Sequence, residues 1–241
     1  MSHHADVAPD ILRLQTNTGI PSSKLGMWLF LASDAMGFVG LLGTYIVLRF
    51  SSTDWPVATE VLDIPLVSLN TFILICSSVT MVKGLAALQD GNRKWYRIHI
   101  FLTAMLGLAF VAIQGVEWYY MIYGHGGDHG AHAVQVASVD GHGGAAHSHG
   151  ATAKPDALPT FKAHESLFGA SFYALTGYHG FHVLVGVVYL LTHLVISMLT
   201  ERNGRTWVDA QDNTIPTEIM GLYWHFVDLV WIILFTVIYL M

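Results

Sequence analysis

This chain predicts an all-α fold, an integral membrane bundle of five transmembrane helices, and three observations carry that prediction. Only 12% of its 241 residues are charged while 53% are hydrophobic, and the mean hydropathy is +0.49; soluble domains carry roughly a quarter charged residues. Five apolar runs reach the ~20 residues that a helix needs to cross a bilayer. Alternating strand patterns and short-period repeats are absent, and helices satisfy their own backbone hydrogen bonds in lipid. Composition also excludes other classes. The net charge of −6 is spread over loops and tails and offers no nucleic-acid surface. A single cysteine, Cys76, excludes an intrachain disulfide and a cysteine cluster.

Residues 1–23 (MSHHADVAPDILRLQTNTGIPSS) are polar and lack a basic start followed by an apolar core, so no cleaved signal peptide is expected. They read as a cytoplasmic tail. The first apolar run, 25–50, is interrupted by Ser33 and Asp34. Asp34 lies about ten residues in, about 15 Å deep at the helical rise. An ionisable group there costs about 2.5–3.5 kcal/mol on insertion scales, so it needs a partner. Two readings stay open: a structural interhelical hydrogen bond, or a proton-handling or lipid-facing carboxyl. Gly37, Gly40 and Gly43 follow as a small-residue stripe suited to close helix contact.

The second run, 64–88, opens with Pro65 in its first turn, where proline is tolerated. Asn70 and Thr71 within it are expected to bond neighbouring helices. The third, 98–123, carries Gln114 and Glu117, with Glu117 near the outer end, where water is expected to reach it, and Trp118, Tyr119, Tyr120 and Tyr123 as an interfacial belt. Segment 124–166 begins GHGGDHGAHAVQVASVDGHGGAAHSHG, too rich in Gly, Ala and His to bury a core. It reads as a mobile external loop; its histidines are alternatively a loose copper or zinc site. The fourth run is 167–199 and the fifth about 218–241. Lys and Arg placement gives orientation: eight of eleven lie on the side of the 89–97 and 200–217 loops, which puts the N-terminus in the cytoplasm and the C-terminus outside.

The fifth run holds His225 and Asp228, and the fourth His179 and His182, each pair three apart and so on one helical face. Counted from their outer ends all four lie about 16–24 Å deep and are expected to form one buried polar layer, satisfied by His–Asp and His–backbone bonds. The rival reading makes them metal or haem ligands, with His99 or His193 as further axial candidates. The plainer reading, a satisfied network that fixes packing, is preferred.

At these residues a family resemblance emerges. YWHFVDLVWIILFTVIYL closely resembles the closing helix of subunit III of haem-copper respiratory oxidases, the cytochrome c oxidase subunit III family. TGYHGFHVLVGVVYL and LGMWLFLASDAMGF resemble two more of its helices, with VSLNTFILICSS, DGNRK and IQGVEW in the family's order between them. The resemblance covers residues 24–123 and 166–241. It implies a non-catalytic subunit of a proton-pumping cytochrome c oxidase, with no catalytic, cofactor-binding or metal residue of its own; haem and copper sit in the partner catalytic subunits. It implies packing on subunit I, with subunit II and further subunits beyond, support of proton uptake, protection against turnover inactivation, bound phospholipid, and a multi-pass place in a prokaryotic inner membrane. Asp34 stands where longer relatives have a buried glutamate, and Glu117, His179, His182, His225 and Asp228 match family polar positions. The longest relatives have seven helices and this chain resembles the last five. Aspartate at 34 is also a feature of the quinol-oxidase branch, which is the alternative, with an accessory protein of nitric oxide reduction a further one.

Overall fold

A computed structural model describes residues 21–52, 55, 64–123, 167–202 and 214–240. Residues 1–20 of the tail and the His-rich segment, with its metal reading, lie outside the described residues. Five helices are long and apolar enough to cross a membrane: α1 (Ser22–Ser51), α2 (Ile64–Gln89), α3 (Arg93–Tyr123), α4 (Leu167–Arg202) and α5 (Thr214–Phe235), whose last turn, Thr236–Leu240, widens into a π-helix. No strand pairing organises the described residues, and the five expected spans are all present. Helices outrun the apolar stretches because a helix does not end where hydropathy does. α3 starts five residues earlier than its apolar run, where Asn92 Oδ1 accepts from the Trp95 amide at 3.4 Å as a weak cap. Gly91, at φ 73°, makes the turn that separates α2 from α3.

α2, α3, α4 and α5 pack in a ring, each against the next and α5 back against α2. α1 stands outside it, along the α4–α5 edge. The inward face of α2 follows a seven-residue repeat: Val67, Leu74, Met81 and Leu88 are buried, and Asn70, Ser77 and Gly84 run beside them. α1 buries only Leu31, Phe38 and Tyr45, again seven apart.

Trp224 of α5 locks the ring. Its indole is 1% exposed and its Nε1–H donates to Ser77 Oγ at 3.0 Å. Two glycines make room for it: a Cβ on Gly107 of α3 would lie 2.4 Å from the ring, and one on Gly186 of α4 would lie 2.9 Å from it. One side chain therefore joins all four helices. Two helical turns on, Trp231 repeats the device, donating to Thr71 Oγ1 at 3.0 Å. Asn70 Nδ2 donates to the Phe110 carbonyl at 3.3 Å, so Asn70 and Thr71 do tie α2 to its neighbours.

The expectation for the glycine stripe holds only at Gly37, where an added Cβ would come within 3.1 Å of Tyr178 Oη. Gly40 and Gly43 face no described atom within 4 Å. Trp118 is less a belt residue than a wedge, its ring 5.3 Å from Tyr173 and against Gly177, while Tyr119 is exposed as a belt residue should be.

Candidate functional site

Asp34 is positioned by the one seam that attaches α1. Phe38, a helical turn along, packs its ring 4.7 Å from Tyr178 and 5.3 Å from His182. This turns the carboxyl toward α4, where Tyr178 Oη donates to Asp34 Oδ1 at 3.1 Å and His182 Nε2 meets the same oxygen at 3.1 Å. Both side chains of the Asp34–His182 pair are more than nine-tenths buried.

The proton count at this pair follows from geometry. His182 Nδ1 lies 2.7 Å from the Tyr178 carbonyl, which can only accept, so Nδ1 carries a hydrogen. A single further proton then lies between Nε2 and Oδ1, on one or the other. The arrangement can hold or hand on one proton. Tyr223 Oη fixes the backbone behind it by donating to the His182 carbonyl at 2.9 Å. His182 also forms the polar point of an apolar groove of about 260 Å3, shared by Met27 and Phe30 of α1, Val185 and Tyr189 of α4 and Tyr223 of α5.

The expected single layer of His179, His182, His225 and Asp228 is resolved into separate pairings. His179 is fully buried; its Nε2–H donates to the Val227 carbonyl at 3.2 Å, and its ring lies against Trp231 at 4.8 Å. His225 faces α2, with Nδ1 2.6 Å from Ser78 Oγ. Asp228, 6% exposed, lies beside the same Ser78, but neither carboxylate oxygen has a hydrogen bond of good geometry. Both expected bond types occur, yet the His–Asp bond joins His182 to Asp34 rather than His225 to Asp228. Spacing along a helix does not give direction around it: the two histidines of α4 point to different neighbours.

Glu117 corrects its expectation of water access. It is only 7% exposed, and accepts from Gln114 Nε2 at 2.6 Å and from Tyr239 Oη at 3.2 Å. The tyrosine sits in the closing π-turn, so this acid pins the end of α5 to α3. The histidines of the haem alternative are engaged elsewhere: His193 Nδ1 bonds Tyr96 Oη at 3.0 Å and His99 Nδ1 donates to the Trp95 carbonyl at 2.8 Å. Among the described residues no three His, Cys, Asp or Glu side chains come together as a metal-ligand set.

Sequence reasoning missed Ser78, Tyr178, Tyr223 and Tyr239. A signal existed, since a buried tyrosine hydroxyl needs a partner, and Tyr178 stands four residues before His182 on one face.

Fold and site together define a multi-pass membrane subunit whose intramembrane polar groups mostly bond helix to helix. The family model described as Cytochrome c oxidase subunit III matches residues 11–128 and 156–241. The chain is 28% identical to the cytochrome c oxidase subunit 3 of Alkalihalophilus pseudofirmus over 95% of its length and 96% of the relative's. It is 32% identical to that of a Synechocystis strain over 92% of this chain and 78% of the other. A cytochrome bo(3) ubiquinol oxidase subunit 3 from Pseudomonas aeruginosa is 28% identical over 91% and 85%. The chain belongs to the cytochrome c oxidase subunit III family.

Proposed function

We propose that this chain is the non-catalytic integral subunit of a proton-translocating terminal oxidase of aerobic electron transport. It packs on the catalytic subunit I, with subunit II further away. It sits in the inner membrane of a prokaryote with its N-terminus in the cytoplasm. Subunit I and its partners supply haem and copper and reduce oxygen to water with electrons from cytochrome c. This chain contributes a scaffold, the buried Asp34 carboxyl and surface for phospholipid. The supporting observation is the Asp34–His182–Tyr178 contact: a buried carboxyl whose Oδ1 meets both His182 Nε2 and Tyr178 Oη at 3.1 Å, with His182 also lining an apolar groove.

The test uses the assembled oxidase. Asp34→Ala is expected to leave the initial rate of oxygen reduction unchanged while activity decays faster per turnover; identical decay overturns the proton-related role of Asp34. The chain expressed alone is expected to be colourless, with the haem spectrum travelling with the large subunit. A quinol-oxidase subunit is the second reading, because the ubiquinol-oxidase relative is 28% identical over 91% of this chain, the same identity that the Alkalihalophilus cytochrome c oxidase subunit shows over 95%. Oxidation of a soluble quinol, and not of reduced cytochrome c, by the purified complex would select it.

A further inference from the structure

One acid of the bundle is enclosed without a partner of its own. Asp228 is 6% exposed, both its oxygens are sealed in, and Ser78 is its single hydrogen-bonding neighbour among the described residues. No cation pairs with it among those residues. The indole N–H groups of Trp224 and Trp231, on the same face of α5, are taken by Ser77 and Thr71. A buried carboxylate served by one hydroxyl is costly, and the neutral acid is the cheaper form. Ser78 has one hydrogen to give, and its Oγ lies 2.6 Å from His225 Nδ1. An acid that keeps its proton donates to Ser78. Ser78 then donates to Nδ1, and the imidazole hydrogen is left on Nε2.

That nitrogen is the end of the series that the bundle leaves open. Among the described residues nothing bonds Nε2, and nothing encloses it. His225 lies about 16 Å along the Thr214–Leu240 span, near its middle. On the same face of α5 Leu229 and Ile232 are exposed, as are Ile75 and Val82 beside Ser78 on α2. Phe226 meets Phe38 of α1 at 6.3 Å, so α1 and α2 border this open strip. An N–H turned to hydrocarbon is costly, and water and lipid headgroups lie at the two surfaces of the bilayer. A transmembrane helix is what brings an acceptor to the middle. We propose that Asp228, Ser78 and His225 form a relay that fixes the imidazole as its Nε2–H tautomer, and that this N–H bonds an acceptor on a transmembrane helix of another subunit seated along the α5 strip. The inference rests on the reading of this chain as a subunit of a larger oxidase, and it names the anchoring group. His225 makes the contact; Asp228 and Ser78 are positioning residues. A second copy of this chain does not fit, because a two-fold pairing through the strip would set N–H against N–H. The relay is separate from the Asp34 pair, which is built on α4.

The experiment uses the assembled complex. A photocrosslinking residue in place of Leu229 is expected to join this chain to a different subunit, identified by its peptides. The infrared spectrum is expected to hold the carbonyl stretch of a protonated carboxylic acid that Asp228→Asn removes and Ser78→Ala shifts. Retention of this chain by the haem-bearing subunit is then followed on dilution in detergent. His225→Phe should speed its loss about threefold or more, the worth of one hydrogen bond between membrane helices. Ser78→Ala should move toward the same rate although His225 is intact. Asp228→Asn should match the parent, because its amide donates to Ser78 as the acid does. Crosslinks from position 229 to lipid alone, or to a second copy, overturn the proposal. So does a spectrum that Asp228→Asn leaves unchanged, or a Ser78→Ala chain retained like the parent. Each of these leaves membership of the oxidase standing. That reading fails, and the proposal with it, when no haem-bearing subunit co-purifies with the parent. Should His225→Phe fail to assemble, Ser78→Ala and the crosslink decide.

Discussion

α1 and α5 have nearly the same hydropathy, 1.7 and 1.8 over their most apolar windows, yet 11% of the first window is buried and 50% of the second. α1 buries three residues in a single line. α5 buries ten, spread around much of its circumference, and two of them are tryptophans whose N–H groups meet hydroxyls of α2. The difference teaches that hydropathy does not sort inside from outside in a membrane protein, because lipid is as apolar as leucine. Close packing against glycine and directed hydrogen bonds do the sorting, and α5 has both. Among the described residues, α1 is tied to the ring by the hydrogen bonds at Asp34 and by an ion pair at its end.

The largest effect expected from breaking this contrast is at Gly107. Gly107→Val places carbon inside the Trp224 ring, and overpacking of a tight core typically costs about 1–3 kcal/mol or more. The yield of folded protein and its thermal midpoint in detergent should both collapse. Gly40→Val on α1, where nothing lies within 4 Å, should leave the midpoint of the isolated chain unchanged. Trp224→Phe removes the ring atoms that Gly107 faces. Combining it with Gly107→Ala should therefore cost less than the sum of the two single changes; simple additivity would reject the wedge.

Next in size is Asp34→Ala, which leaves Tyr178 and His182 without their shared acceptor. Hydrogen bonds between membrane helices average about 0.6 and reach about 1.7 kcal/mol, and two bonds that meet at a buried oxygen belong toward the upper end. Asp228→Asn should cost clearly less, because Asp228 accepts no well-formed hydrogen bond from described residues. Thermal midpoints of the two variants, measured side by side, check the order. The reverse order would mean that Asp228, not Asp34, is the carboxyl that holds helices.

How much of this was legible beforehand depends on the direction in question. Along the chain almost everything was: the five spans, and which of them carry Asp34, Glu117, His179, His182, His225 and Asp228. Around each helix little was. A span facing lipid on one side and helices on the other is apolar on both, so periodicity names no inner face. That Asp34 meets His182 requires α1 to lie beside α4, and no stretch of either helix says so. Polar and small residues at seven-residue spacing on α2, Asn70, Ser77 and Gly84, were the usable signal, since only an inward face would keep them. The water access expected for Glu117 failed for a related reason: its neighbour Tyr239 comes from the far end of the chain and covers it.

Glu117→Gln should be mild. The amide keeps an oxygen that can accept from Tyr239, so less than about 1 kcal/mol should be lost, while Glu117→Leu, which removes the acceptor and orphans the tyrosine, should cost more. A thermal-midpoint difference between the two variants is the check, and equal shifts would mean that the contact is packing alone.

The smallest effect is expected at the end of α1, where Lys24 pairs with Glu218 of α5. Each side chain is more than a quarter exposed, so the pair is screened and worth about 0.2–1 kcal/mol at most. Lys24→Ala should lower the thermal midpoint by an amount just measurable at low salt. The gap from the parent should close toward 1 M salt, where the screening length falls to about 3 Å. A gap that survived high salt would show that the lysine stem holds α1 by packing. α1 would then have a second, apolar point of attachment, and its contrast with α5 would be weaker than the Asp34 seam alone makes it.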